Sequence, residues 1–167
     1  QEMTALYRHP KIKSYLTLAH GEGFGLPIFE AVCNELPVIA PDWSGHIDFL
    51  YAPVKHKKTG KEKMKAHFAD VRFSLQPIQP EAVWDGVLQR DSMWCYAEES
   101  SYKNRLREVY KDYNRFKSQA KKLNKWVRQN FSAEGQYDKF YQCFEEYIDT
   151  TSNQEVDEMF QKLFEQS

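Results

Sequence analysis

Apolar and polar positions fall into short blocks through the first hundred residues and into a three- and four-residue rhythm after that. Met3, Leu6 and Tyr7 predict the end of an amphipathic helix stopped before Pro10. Ile12 to Ala19 (IKSYLTLA) is short, rich in strand formers and followed by glycines, which predicts a strand. Pro27 to about Glu35 predicts a helix with proline at its first position, where the missing N–H costs nothing. Pro37 to Ala40 is a short apolar run, most simply a buried parallel strand. Strand, glycine turn, helix and strand together make a βαβ unit.

Asp42 to Gly45 (DWSG) reads as a turn and His46 to Leu50 as a short helix. Residues 55–67, KHKKTGKEKMKAH, hold six lysines against one glutamate. A phosphate clamp is one reading; a solvated surface loop is the simpler one, because like charges in a block repel and stay wet. Residues 68–78 predict a strand with Val71, Phe73 and Leu75 on one face. Pro80 opens a predicted helix carrying Val83, Trp84, Val87 and Leu88, and Met93 to Ala97 predicts one more strand. From Ser100 onward Tyr102, Leu106, Val109, Tyr113, Phe116, Ala120, Leu123 and Val127 form a sustained stripe, expected to pack on the sheet rather than in a coiled coil. Ser132 is placed to cap a helix with Tyr137, Phe140, Tyr141, Phe144 and Ile148 inward. A last helix over 150–167 would carry Val156, Met159, Phe160, Leu163 and Phe164.

Bulk properties narrow the picture modestly. A chain of 167 residues, 41% hydrophobic and 28% charged, has the composition of an ordinary soluble domain with a core. A net charge of −1 gives no global electrostatic case for nucleic acid or an anionic membrane. No apolar run reaches the ~20 residues that span a bilayer. Cys33, Cys95 and Cys143 lie far apart without metal-ligand spacing, which suggests reduced cysteines of a cytoplasmic protein. No start methionine or signal peptide opens the chain, so it reads as a piece of something longer.

The candidate chemistry sits in HGEGFGLPIFEA, residues 20–31. A turn between a parallel strand and the next helix lies at the carboxyl edge of the sheet, where ligands of such folds bind. Glycines let a ligand approach the backbone closely, and the helix N-terminus favours an anion. The spacing fits neither the dinucleotide fingerprint nor a P-loop. Glu22 lies within the turn with little packing role. Glu30 comes about one turn into the helix, so that its side chain can reach the same mouth. A carboxylate accepts hydrogen bonds through two oxygens, which suits the vicinal diol of a sugar or ribose. The plainer alternatives are a purely geometric turn and a Glu30 that only complements the helix dipole. For His20 and His46 a hydrogen-bonded place in the turn is preferred over ligand contact.

EGFGLPIFEA followed by PVIAPDWSGHIDF resembles the C-terminal lobe of the retaining "group 1" glycosyltransferases with the GT-B fold, whose hallmark is two glutamates separated by seven residues in an EGFGLP context. The resemblance is strongest over 1–50 and returns over 93–149, and it makes 51–92 look like an insertion. It implies an α/β fold: a Rossmann-like three-layer lobe over 1–149 with a parallel sheet and long C-terminal helices, one half of a GT-B fold, followed by the tail helix over 150–167. It also implies roles. Glu22 would touch donor-sugar hydroxyls near the reacting carbon, as the catalytic candidate. The backbone of Gly23, Phe24, Gly25 and Leu26 would face the sugar and diphosphate, Glu30 would hold the ribose diol, and Gly45 would be a loop glycine near the donor. The family usually has glycine where Glu35 stands, a difference read as a harmless helix-end variation, and often glutamate near Asp48, whose role the resemblance leaves open. No Asp-x-Asp pair is present, and neither a metal nor a cofactor is expected. The partners implied are a nucleotide-sugar donor, an acceptor that the sequence does not name, and an upstream acceptor lobe with the basic diphosphate clamp. The resemblance thus implies the donor-binding half of a glycosyltransferase; the non-enzymatic alternative is a nucleotide- or sugar-binding module without a catalytic partner lobe.

Overall fold

A computed structural model of the chain describes residues 2–145. The expected tail helix over 150–167, and Ile148 before it, lie outside the described residues. The chain divides after Arg128 into two compact units.

The first unit is mixed α/β around a three-stranded parallel sheet of order β1-β2-β5. Helix α1 (Glu2–Tyr7) leads to β1 (Tyr15–Leu16), α2 (Leu26–Cys33) and β2 (Val38–Pro41), the βαβ unit that the sequence predicts. Tyr15 pairs in parallel with Val38, and Leu16 with Ile39. The ladder of β1 is shorter than the expected 12–19. Its hydrogen bonds run from Tyr15 N–H to Pro37 O (2.8 Å) through Thr17 N–H to Ile39 O (3.1 Å). All four residues of β2 are buried, as a central strand covered on both faces requires. After α3 (Ile47–Leu50), a hairpin of β3 (Tyr51–Lys55) and β4 (Glu62–Ala66) precedes β5 (Ala69–Val71), which pairs in parallel with β2.

Three expectations are corrected in this region. The lysine block is not a loop: it closes an antiparallel hairpin whose register sets Lys55 opposite Glu62, with only the tip irregular. Opposite charges directly across a ladder favour that pairing. The single strand expected over 68–78 breaks at Arg72, where the chain leaves the parallel sheet. Its second half, β6 (Phe73–Pro77), pairs antiparallel with β7 (Met93–Ala97). Leu75 is therefore 40% exposed while Val71 is buried. The expected helix after Pro80 is a single 3-10 turn, Pro80–Ala82. Trp84 and Leu88 then exchange backbone hydrogen bonds (3.1 and 2.7 Å) across a tight reversal in which Gly86 takes φ +79°.

The long stripe packs as expected. Helix α4 (Glu99–Lys111) and helix α5 (Tyr113–Asn130) meet at Asp112. Val109 and Phe116 close a buried cluster with Ile39, Ala69 and Val71, flanked by Leu18, Ala97 and Tyr102. Leu106 departs from the stripe and is 37% exposed. Arg105 ties α4 to β5 through the Asp70 carbonyl (2.7 Å) and carboxylate (2.9 Å). In the second unit Ser132 caps α6 (Ala133–Gln142) by accepting from Gly135 N–H. The inward placement of Tyr137, Phe140, Tyr141 and Phe144 is corrected: all four are exposed, although the Phe140 and Phe144 rings meet at a tilt, 4.9 Å between centroids.

The C-terminal end of α2 shows why its termination matters. Glu35 adopts φ +57°, and Leu36 N–H reaches back to Ala31 O (2.9 Å) while Glu35 N–H bonds Val32 O (2.9 Å). That is the Schellman pattern, with glutamate in the left-handed position that glycine prefers. Glutamate at 35 thus holds a backbone conformation that favours glycine.

Candidate functional site

The turn of residues 20–25 leaves the C-terminal end of β1, and the loop of residues 42–46 leaves the C-terminal end of β2 beside it. The two are stitched together. Glu22 N–H donates to Ser44 Oγ (2.8 Å), the Ser44 hydroxyl donates to Glu22 O (2.6 Å), and Gly45 N–H donates to the same carbonyl (3.0 Å). Ser44 makes these contacts from φ +82°, a strained conformation for a residue with a side chain. Gly45 fits because a Cβ there would fall on the Gly23 carbonyl oxygen. The backbone of Glu22 is thus fixed while its side chain stays half-buried at the surface.

The other members of the turn serve different ends. Gly23 has nothing within 4 Å of where a Cβ would stand, so its outer face is open. Phe24 turns its ring, 39% exposed, onto Phe29 (5.3 Å) and the fully buried Phe49 (5.1 Å), anchoring the turn to the core. Gly25 is the N-cap of α2 at φ +86°, and no side chain caps that end. Pro27 has no N–H and Phe29 N–H bonds Gly25 O (2.9 Å), so Leu26 and Ile28 carry the N–H groups that a Ser, Thr or Asp cap would serve, which leaves an N-terminus suited to an anion. Leu26, 65% exposed, opens the helix.

Glu30 is exposed, and its Oε2 accepts from the Tyr7 hydroxyl at 3.2 Å. The same hydroxyl lies 3.3 Å from Pro27 O. Burial first, then the bond to Glu30 and its charge, push the Tyr7 phenol up to about 12. Tyr15, edge-on to Tyr7 at 6.2 Å, is also raised, first by burial and then by the charges of Glu22 and of Glu30. Tyr15 is the first residue of β1, and burial remains the larger cause of its shift. Glu30 also lines an open cleft of about 610 Å³ between α1 and α2, with Met3, Tyr7 and Phe29 on its walls.

The two histidines are held by the fold. His20 Nδ1 bonds Cys95 O (2.7 Å), its ring stacks on Trp94 (4.8 Å), and its carbonyl accepts from Cys95 N–H, so it joins β7 rather than staying within its own turn. His46, 2% exposed, donates from Nε2 to Pro41 O (2.8 Å). Among the described residues no three His, Cys, Asp or Glu side chains gather as a metal site, and no helix is long and apolar enough to cross a membrane.

Sequence reasoning missed Ser44, Tyr7 and Tyr15. Ser44 was visible only as part of the DWSG turn. Nothing in the spacing of Tyr7 and Tyr15 ties them to the glutamates, because that contact spans α1, β1 and α2. No protein-family model, curated protein or solved structure matches the chain.

Proposed function

We propose that the chain is the donor-binding part of a retaining glycosyltransferase, a Rossmann-like lobe of the GT-B type acting in the cytoplasm on a nucleotide-sugar. The observation that carries this reading is the turn at the carboxyl end of β1, where Ser44 and Gly45 clamp the Glu22 backbone just ahead of the uncapped N-terminus of α2. A nucleotide-sugar offers three matching features: a ribose diol, a diphosphate and a ring of hydroxyls. Glu30 takes the diol through its carboxylate oxygens, with Tyr7 fixing one of them. The diphosphate faces the Leu26 and Ile28 N–H groups at the start of α2 and the open side of Gly23. Glu22, its backbone clamped by Ser44, presents a carboxylate to the sugar near the carbon that changes partners.

The two glutamates then differ in consequence. Ribose contacts are alike in ground and transition states, so loss of Glu30 raises KM. Charge develops at the sugar carbon, so loss of Glu22 lowers kcat more than it raises KM. Isothermal titration of the chain with nucleoside diphosphates and their sugar conjugates tests the reading. Saturable binding that Glu30→Ala weakens at least tenfold, about the loss of one charge-assisted contact, is the expected result. Binding of free sugars with no nucleotide preference favours the binding-module alternative instead.

A further inference from the structure

The opposite edge of the sheet carries a second feature, independent of the reading above. A cleft of about 400 Å³ opens where α1 ends, ahead of β1 and β2, at the C-terminal end of α2. Its walls bring Arg8, Lys13, Lys117 and Arg128 together against a single carboxylate, Glu35.

Part of this charge serves α2. Asn124 donates to Val32 O (3.1 Å) and Cys33 O (2.9 Å), Arg128 Nη2 to Cys33 O (3.3 Å), and Lys117 Nζ to Glu35 O (2.8 Å). These donors satisfy the helix's last carbonyls, which attract cations. The capping needs fewer donors than the cleft holds. Among the described residues Arg8 uses only Nε, on Asn34 Oδ1 (2.8 Å), which leaves the outer edge of its guanidinium for a ligand. Lys13 lies over the Tyr113 ring at 5.4 Å. Among the described residues Arg8, Lys13 and Arg128 form no ion pair, and Glu35 meets Lys117 only at 3.8 Å. Arg105 and Arg115, by contrast, are each held by two carboxylates. Four cations and one carboxylate leave a surplus of three positive charges in a space that admits a small ligand. Arg8 presents its outer guanidinium edge, and Arg128 keeps Nη1 beyond its bonds from Nε to Asn124 Oδ1 (3.2 Å) and from Nη2 to Cys33 O (3.3 Å); guanidinium donors match tetrahedral oxyanions.

We propose that this cleft binds a phosphate-type dianion, with Arg8 and Arg128 as hydrogen-bonding donors and Lys13 and Lys117 as neutralising charges. The phosphate could come from a soluble compound or from a lipid headgroup, and the test separates the two sources. Amide NMR spectra of the chain are recorded with inorganic phosphate at constant ionic strength, and co-sedimentation is measured with phosphatidic-acid vesicles. Both are repeated on Arg8→Gln/Lys13→Gln. Both side chains are exposed at the surface, so the fold should persist, and the spectrum of the variant reports this.

The expected result is a saturable shift confined to residues 8–13, 34–36 and 117–128, weakened at least about tenfold in the double variant. Shifts with free phosphate assign a soluble ligand. Vesicle binding alone, lost in the double variant, assigns a headgroup. No response in either arm overturns the proposal. So does a response unchanged by the double variant, or one spread equally over the lysine hairpin 55–65, which is the signature of general screening.

Discussion

Glu22 and Ser44 are bonded in both directions, amide to hydroxyl at 2.8 Å and hydroxyl to carbonyl at 2.6 Å, across twenty-two positions of sequence. One side chain thus satisfies both backbone groups of the residue proposed to face the sugar. Ser44→Ala removes both bonds and is expected to cost about 1–2 kcal/mol, together with the order of the turn. Gly45→Ala should cost more, about 3 kcal/mol, because its Cβ meets backbone that cannot yield easily. Urea midpoints rank the two. An alanine at 45 tolerated as well as one at 44 would show that the turn and loop are not rigidly apposed.

Glu35→Gly should stabilise the protein by about 1 kcal/mol by relieving the left-handed conformation at the end of α2. Only a 3.8 Å surface pair with Lys117 is lost in exchange, worth a few tenths of a kcal/mol. The denaturation midpoint should rise with an unchanged slope. A fall in midpoint would mean that the Lys117 contact outweighs the backbone strain.

Asn124→Ala should act in the opposite sense at the same helix end. It strips two hydrogen bonds from the Val32 and Cys33 carbonyls in a buried setting, and about 2 kcal/mol of destabilisation is expected. A neutral result would show that water or Arg128 replaces it.

Stability at high pH reports Tyr7 and Tyr51. The Tyr7 phenol is pushed up to about 12 by burial and Glu30, the Tyr51 phenol to about 12 by burial and its 2.8 Å bond to Asp42. Below the ordinary tyrosine value of 10.0 both states keep these protons and the full stability is present. Between that value and about 12 the unfolded chain ionises first. Stability therefore falls as pH rises, by at most about 1.4 kcal/mol per pH unit for each phenol. Tyr7→Phe should reduce that slope by one proton's share. An unchanged slope would show that Tyr7 is not protected.

What the sequence revealed and what it hid follow from the range of the forces involved. The βαβ unit was legible because strand alternation, the glycine turn and Pro27 are local signals. The spacing of Glu22 and Glu30 was legible for the same reason. The segment after Pro80 misled because Trp84 and Leu88, four apart, mimic one helical face, whereas Gly86 lets the same two residues face each other across a hairpin. The lysine hairpin hid because its ladder is set by register, with Lys55 opposite Glu62, and not by strand-forming side chains. Tyr7 and Tyr15 could not be foreseen, since their contacts exist only once α1, β1 and α2 are packed.

The central claim is that Glu30 grips a ribose diol, and one comparison tests it most directly. The affinities of a ribonucleoside diphosphate and of its 2′-deoxy analogue are measured on the wild-type chain and on Glu30→Ala. The wild type should prefer the ribonucleotide by roughly tenfold, the worth of one hydrogen bond to a charged group, and Glu30→Ala should bind the two alike. An undiminished ribose preference in Glu30→Ala, or no nucleotide binding by the wild type, would contradict the assignment.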